Sequence, residues 1–440
     1  MTRRDDKIWV RPQLSLGRRV EIPRDRIPEH AVDPQTAYQL VHDELLLDGN
    51  ARLNLATFVT TWMEPQARVL IQESLDKNLI DKDEYPQTAE LERRCVEILS
   101  ALWHAPGSPA TGTSTTGSSE ACMLGGLALL RRWRARGGTG TPNLVMGANV
   151  QVCWHKLCRY WDIEPRSVPV GGGTTHLSPE RAAQACDANT IGVVAILGST
   201  FDGSYEPVAG LAAALDQLDV DVPIHVDAAS GGFIAPFLDA DLVWDFRVER
   251  VQSINASGHK YGLVYPGVGW AVWRDPQALP QELLFHVDYL GGEMPDYGLN
   301  FSRPGAQVIA QYYNFVRLGH EGFRRVQQDC RDVATWLASR VEELGRFELL
   351  SRGDELPVLA FKLRDDVQYS VYDVSEKLRA HGWLVPAYPM PEGMEDVHVL
   401  RIVVRNGFSR DMADLLARHL AEIVERLDQP RAEPRPGFHH

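Results

Sequence analysis

Cysteine is sparse and unclustered. Cys95, Cys122, Cys153, Cys158, Cys186 and Cys330 are six in 440 residues, with no CxxC pair and no grouping with histidine. This spacing argues against a disulfide framework or a zinc site and fits reduced thiols in a cytoplasmic protein. Apolar runs are short as well. None approaches the ~18 residues that a membrane-spanning helix needs, and the opening MTRRDDKIWV lacks the apolar core of a secretory signal. Positive charge is in deficit, with 45 Lys and Arg against 59 Asp and Glu and a formal net charge of −14. Nucleic acid, which wants a basic face, is therefore disfavoured as a main partner. A small anionic substrate is not, because the field in a cleft is set by the cleft's own walls.

What is present reads as an ordinary globular chain, 44% apolar and 24% charged, and too long for a single hydrophobic core. Val193–Leu197 is a fully apolar strand, Val208–Leu218 has helical apolar spacing, and Pro223–Ala229 is the next strand. That β-α-β rhythm predicts an α/β fold, a mainly parallel sheet with helices on its faces. Ligands in such sheets sit beyond the carboxyl ends of the strands, where Thr200 and Asp227 fall. A long helical stretch from Gln307 to about Leu344 leads to a smaller α+β C-terminal domain. Its strands are Pro357–Leu363 and Val399–Val404, with helices from about Val374 and Asp411. At the other end, a charged and Pro-interrupted arm precedes a helix starting at Asp33-Pro34, with Tyr38, Val41 and Leu45 on one face. The expected division is an arm and helix over 1–45, a large domain over 46–330, a small domain over 331–428 and a mobile Pro-rich tail over 429–440.

Four features carry chemistry. Lys260 lies in SINASGHKYGLVYPGVGWAVWR, between a small polar run and an apolar strand. A buried, unpaired ammonium is costly. A Schiff base with a carbonyl cofactor resolves the conflict, and a lysine on a surface turn is the plain alternative. Asp227 closes a short strand, as a helix N-cap does. It is also where a carboxylate opposite the ring nitrogen of pyridoxal phosphate would stand, holding that nitrogen protonated. TGTSTTGSS, residues 111–119, is a small-residue loop entering a helix from Glu120 to about Arg136, which offers either a phosphate cradle or a simple N-cap. Arg401, inside the strand Val399–Val403, is either a paired structural charge or a bidentate partner for a carboxylate. Arg405 is a second candidate nearby.

Several stretches together resemble the bacterial glutamate decarboxylases, enzymes of pyridoxal-phosphate fold type I. They are DGNARLNLATF (48–58), GSSEACMLGG (117–126), IHVDAASGGFIAPF (224–237), SGHK (257–260), VDYLGG (287–292) and NFSRP (300–304). The resemblance spans about residues 38–420. It implies that Lys260 holds the cofactor, with Asp227 and His259 completing the catalytic set. It implies cofactor contacts at Ser118, Ser119, Gln151, Thr200 and Ser257, Gln151 being a buried amide over the cofactor ring. Ser302 would reach the phosphate from a partner subunit. Thr57, Phe58, Asn78 and Asp81 match the pocket for the substrate's distal carboxylate, Asp81 from the neighbouring subunit, and Arg401 matches the arginine at its α-carboxylate end.

The implied activity is α-decarboxylation of L-glutamate to γ-aminobutyrate and CO2, consuming a proton, in a cytoplasmic homo-oligomer. Its minimal unit is a dimer, with a hexamer as the larger option, and no metal takes part. Two other readings stay open, a decarboxylase for aspartate or an aromatic amino acid and a catalytically silent oligomeric homologue. The resemblance also implies a regulatory His439, a penultimate imidazole that plugs the active site as pH rises and leaves it in acid.

Overall fold

The computed structural model describes residues 23–218, 221–287 and 294–429. They fall into two compact units divided between Asn50 and Ala51. The first contains the helix Pro34–Leu45. Asp33 caps it as the sequence predicts, its carboxylate accepting from the Thr36 amide at 3.0 Å. This helix has no buried residue, and its apolar stripe of Tyr38, Val41 and Leu45 is exposed.

In the second unit, seven strands form one sheet. They are β1 (Thr111–Thr115), β2 (Asn143–Gly147), β3 (Glu164–Val168), β4 (Thr190–Ile196), β5 (Ile224–Asp227), β6 (Val251–Ala256) and β7 (Gly269–Trp273), in the order β1-β7-β6-β5-β4-β2-β3. Pairing is parallel from β3 through β6, and β7 runs antiparallel to both β6 and β1. The predicted α/β class is thus observed. Every residue of β4 is buried. Val193 and Ala195 pack into one core, whereas Ile191, Val194 and Ile196 pack into another on the opposite face. Helices on both faces explain why this strand is continuously apolar rather than alternating.

One reading changes. The small-residue stretch 111–119 is not all loop, because its first five residues form the edge strand β1. Gly112 shows why small residues are needed. A Cβ there would stand 2.7 Å from the Ala271 carbonyl oxygen and 2.8 Å from Val96.

After β7, β8 (Phe285–Val287) and β9 (Met294–Asp296) pair antiparallel. The helix Ala306–Glu343 follows, broken at Gly319, where φ is 57° and ψ −171°. Sequence periodicity ran straight through this break, since a glycine in the left-handed region leaves the apolar spacing intact. A second sheet, all antiparallel, has the order β10 (Phe347–Arg352), β11 (Val358–Leu363), β13 (His398–Val403), β12 (Ala387–Pro389). It shares a separate core with the helices Val371–Ala380 and Arg410–Asp428. No helix among the described residues is long and apolar enough to cross a membrane.

Register places the site. Ile196 pairs with Asp227, Asp227 with Asn255, Ala256 with Trp270, and Thr115 with Gly269. The ends of β1, β4, β5 and β6 therefore line one edge of the large sheet, and the segments leaving them converge.

Candidate active site

Those segments enclose a cavity of about 340 Å³. It is lined by eight of the residues singled out above: Ser118, Ser119, Gln151, Thr200, Asp227, Ser257, His259 and Lys260.

At one end is the start of the helix Ser118–Ala135. No side chain among the described residues caps it, so its first amides and the positive end of its dipole remain for an anion. Ser257 Oγ donates to Ser118 Oγ at 2.7 Å, tying the loop after β6 to this helix. Glu120 braces the approach by accepting from the Thr116 amide at 2.8 Å and the Thr116 hydroxyl at 2.9 Å.

At the other end Asp227 is 4% exposed and held by both oxygens. Oδ1 accepts from the Ala229 amide at 3.1 Å and Asn255 Nδ2 at 3.0 Å. Oδ2 accepts from Trp154 Nε1 at 2.8 Å. The Asp227–Ala229 bond is the N-cap-like contact expected of an acid closing a strand. The tryptophan and asparagine bonds go further, since they fix one rotamer with an oxygen on the cavity wall.

Between the two ends lies Lys260. Its Nζ is 3.3 Å from Ser230 Oγ and 5.2 Å from the centre of the Phe58 ring. Burial pushes its pKa down, and the nearby Asp227 carboxylate only partly opposes that shift. The result is an amine primed to act as a nucleophile. His259, the preceding residue, has its pKa lowered to about 4 by burial and by Lys260. Its Nδ1 accepts from the amides of Gly267 at 3.2 Å and Val268 at 3.3 Å, which requires a neutral ring. Gly117 lets that ring come close. A Cβ there would stand 2.9 Å from His259 Cε1.

The remaining candidates divide. Phe58 and Arg401 are buried, and the guanidinium lies 5.0 Å from the Phe58 ring and 5.4 Å from that of Tyr388. Arg401 donates to the main-chain carbonyls of Thr200 and Ala56, while its buried Nε has no partner among the described residues. Arg405 donates through its two terminal nitrogens to four main-chain carbonyls, those of Ala51, Asn54, Val59 and Thr60, and its buried Nε likewise has no partner among the described residues. Thr57 sits beside Phe58 and accepts from the Val59 amide at 3.1 Å, and none of Thr57, Phe58 and Arg401 lines the cavity. Gln151 departs from the expectation of a buried amide. It is exposed, and its Oε1 caps the helix Val152–Tyr160 by accepting from the Cys153 amide at 2.8 Å.

Asn78, Asp81 and Ser302 lie elsewhere. Asn78 Nδ2 donates to Asp81 Oδ2 at 2.9 Å, and Asn78 Oδ1 accepts from the Arg303 amide at 3.2 Å. The exposed Ser302 adjoins that contact, and none of the three lines the cavity. His439 is outside the described residues.

Sequence reasoning missed Trp154, Asn255 and Ser230. A signal existed for Asn255. Ser253, Asn255 and Ser257 alternate along β6 and beyond it, so one face of a buried strand is polar. Asn255 Nδ2 reaches both Asp227 Oδ1 and Ser118 Oγ, at 3.0 and 3.2 Å, and joins the two ends of the cavity.

This arrangement fits pyridoxal phosphate. It offers an amide-lined helix start for the phosphate, a fixed carboxylate for the ring nitrogen and a buried amine between them. The pyridoxal-dependent decarboxylase conserved domain matches residues 28–364. The chain belongs to the pyridoxal-dependent decarboxylases. It is 52% identical over 433 residues to a glutamate decarboxylase of Aliivibrio fischeri, covering 96% of this chain and 92% of that one. It is 49% identical over 422 residues to a glutamate decarboxylase of Petunia hybrida, covering 93% and 84%. A solved glutamate decarboxylase of Lactobacillus brevis superposes with a TM-score of 0.90 at 48% identity, covering 94% of this chain and 97% of that chain. As a pyridoxal-dependent decarboxylase, the protein takes pyridoxal phosphate as its cofactor.

Proposed function

We propose that the protein decarboxylates L-glutamate at its α carbon, giving γ-aminobutyrate and CO2 and consuming one proton. One observation carries the reading within the site. Lys260 Nζ and the Arg401 guanidinium lie 5.2 and 5.0 Å from the centre of the same Phe58 ring, so one side chain links the cavity's amine to a carboxylate-binding group that does not itself line the cavity. The similarity to glutamate decarboxylases over almost the whole chain supports glutamate as the substrate.

In this reading Ser118, Ser119, Ser257 and the helix start would hold the phosphate, and Asp227 would keep the ring nitrogen protonated. When bound, pyridoxal phosphate would supply the electron sink for the substrate's α carbon on loss of CO2. Lys260 would supply the amine that holds the cofactor's carbonyl carbon, with loss of water, and once the substrate's amine had replaced it there it would be free to return a proton to the α carbon. His259, held neutral, packs against the phosphate end and is a poor acid. Arg401, whose buried Nε has no partner among the described residues, would bind the substrate's α-carboxylate end. Asn78 and Asp81 in one segment and Ser302 in another meet outside the lining of their own cavity, which supports their serving a second copy across a homodimer. The six free thiols support a reducing compartment, the cytoplasm.

The test is product analysis with glutamate, aspartate and aromatic amino acids offered separately. γ-Aminobutyrate and CO2 in equal amounts from glutamate are expected. Turnover of aspartate or an aromatic acid without glutamate would overturn the assignment. Arg401→Lys gives a sharper check. Lysine cannot reach two carbonyls and a carboxylate together, and a lost charge-assisted contact is worth about 1.5–3 kcal/mol. KM for glutamate should rise by roughly 10–100-fold, with kcat falling less. An unchanged KM would make Arg401 structural.

A further inference from the structure

Cys122 and Cys153 line the cavity, yet no step above uses them. Cys122 lies one turn into the helix Ser118–Ala135, Cys153 in the first turn of the helix Val152–Tyr160, and Asp227 at the end of β5. All three are buried, at 1%, 4% and 4% exposure. Their two sulfurs and a carboxylate oxygen lie within 4.8 Å of one another. Cys122 Sγ is 3.6 Å from Asp227 Oδ2. Zinc–sulfur bonds of ~2.3 Å and zinc–oxygen bonds of ~2.0–2.2 Å at a tetrahedral angle put sulfur and oxygen about 3.6 Å apart. The pair is thus already at ligand spacing, set by a helix and a strand rather than by a loop.

We propose that, when the cofactor is absent, Cys122, Cys153 and Asp227 form a three-ligand site for a thiophilic divalent cation such as Zn2+, Cd2+ or Co2+. The ion takes the place of the proton between Cys122 and Asp227. Trp154 Nε1 keeps its bond to the other lone pair of Oδ2, and Asn255 and Ala229 keep Oδ1 in place. Both thiols become thiolates and release two protons. The dication and three anionic ligands then leave the cluster at −1, the same charge as one carboxylate with two neutral thiols. A three-ligand set leaves a coordination position open to the cavity. Cation and cofactor exclude each other because both need Asp227, a consequence that rests on the proposed pairing of Asp227 with the ring nitrogen.

The experiment uses full-length protein stripped of cofactor and titrated with Co2+, followed by thiolate-to-cobalt charge-transfer absorbance and by proton release. One Co2+ per chain with a two-thiolate band and two protons released is expected. Cys122→Ser and Cys153→Ser, nearly isosteric and checked for folding by circular dichroism, should each halve the band. Each should also weaken binding at least ~10-fold, since a ligand matters no less than its supporting shell. Absence of the band in the parent protein, or a band unmoved by both substitutions, would overturn the site. Protein loaded with pyridoxal phosphate first should show no band. A full band in loaded protein that still responds to the cysteine substitutions would support the cation site and overturn only the exclusion, with the ring pairing behind it.

Discussion

Lys260→Ala is expected to yield a folded protein that turns over glutamate more than ~1,000-fold more slowly and forms no borohydride-trappable bond to cofactor. Two roles are lost at once. Proton transfer by a positioned side chain alone contributes ~10²–10⁴-fold, and the nucleophile that anchors the carbonyl disappears with it. The fold should tolerate the change. Nζ makes a long hydrogen bond to Ser230 and stands over Phe58, and the main-chain bonds to Ser257, Leu263 and their neighbours do not involve it. Removing an amine whose pKa is already depressed by burial relieves desolvation rather than breaking an ion pair. The melting temperature without cofactor should hold or rise. Borohydride reduction followed by peptide mass analysis checks the link, and circular dichroism checks the fold. Normal turnover, or a reduced bond trapped on the variant, would remove Lys260 from the centre.

Much of this site was legible because its parts follow strand ends in the chain. Asp227 closes a short apolar strand, Lys260 lies four residues beyond Ala256, and Ser118 and Ser119 open a helix. Each is a local pattern with a local reason. Partnerships between distant segments were not legible. Trp154 and Asp227 are 73 positions apart, yet the indole nitrogen sits 2.8 Å from the carboxylate, and nothing near Trp154 marks it as more than a core aromatic. Cys122 and Cys153 read as scattered thiols because they are 31 positions apart in the chain, yet the fold brings their sulfurs together. The Gly319 break and the strand character of Thr111–Thr115 were hidden for another reason. A glycine break preserves the apolar period, and a short polar edge strand has none to show.

Asp227→Asn should lower kcat by at least ~100-fold, the scale at which a pre-placed electrostatic group matters. Loss of charge is one cause. A neutral amide no longer favours a proton on the ring nitrogen, so the substrate's electrons lose their acceptor. The surrounding hydrogen bonds supply a second. Both carboxylate oxygens face donors, Trp154 Nε1 on one side and Asn255 Nδ2 with the Ala229 amide on the other. An asparagine must turn its NH2 towards one of these sets. The resulting donor–donor contact leaves a buried group unpaired, which costs about 1–3 kcal/mol. The variant should therefore lose cofactor affinity as well as turnover and melt earlier than the parent protein. Asp227→Glu separates the causes by keeping the charge while displacing the oxygens. It should bind cofactor better than the asparagine variant yet stay below the parent in kcat. Stopped-flow kinetics with cofactor titration reads both effects. Near-parental kcat in Asp227→Asn would reduce the residue to the cap of the turn that follows β5.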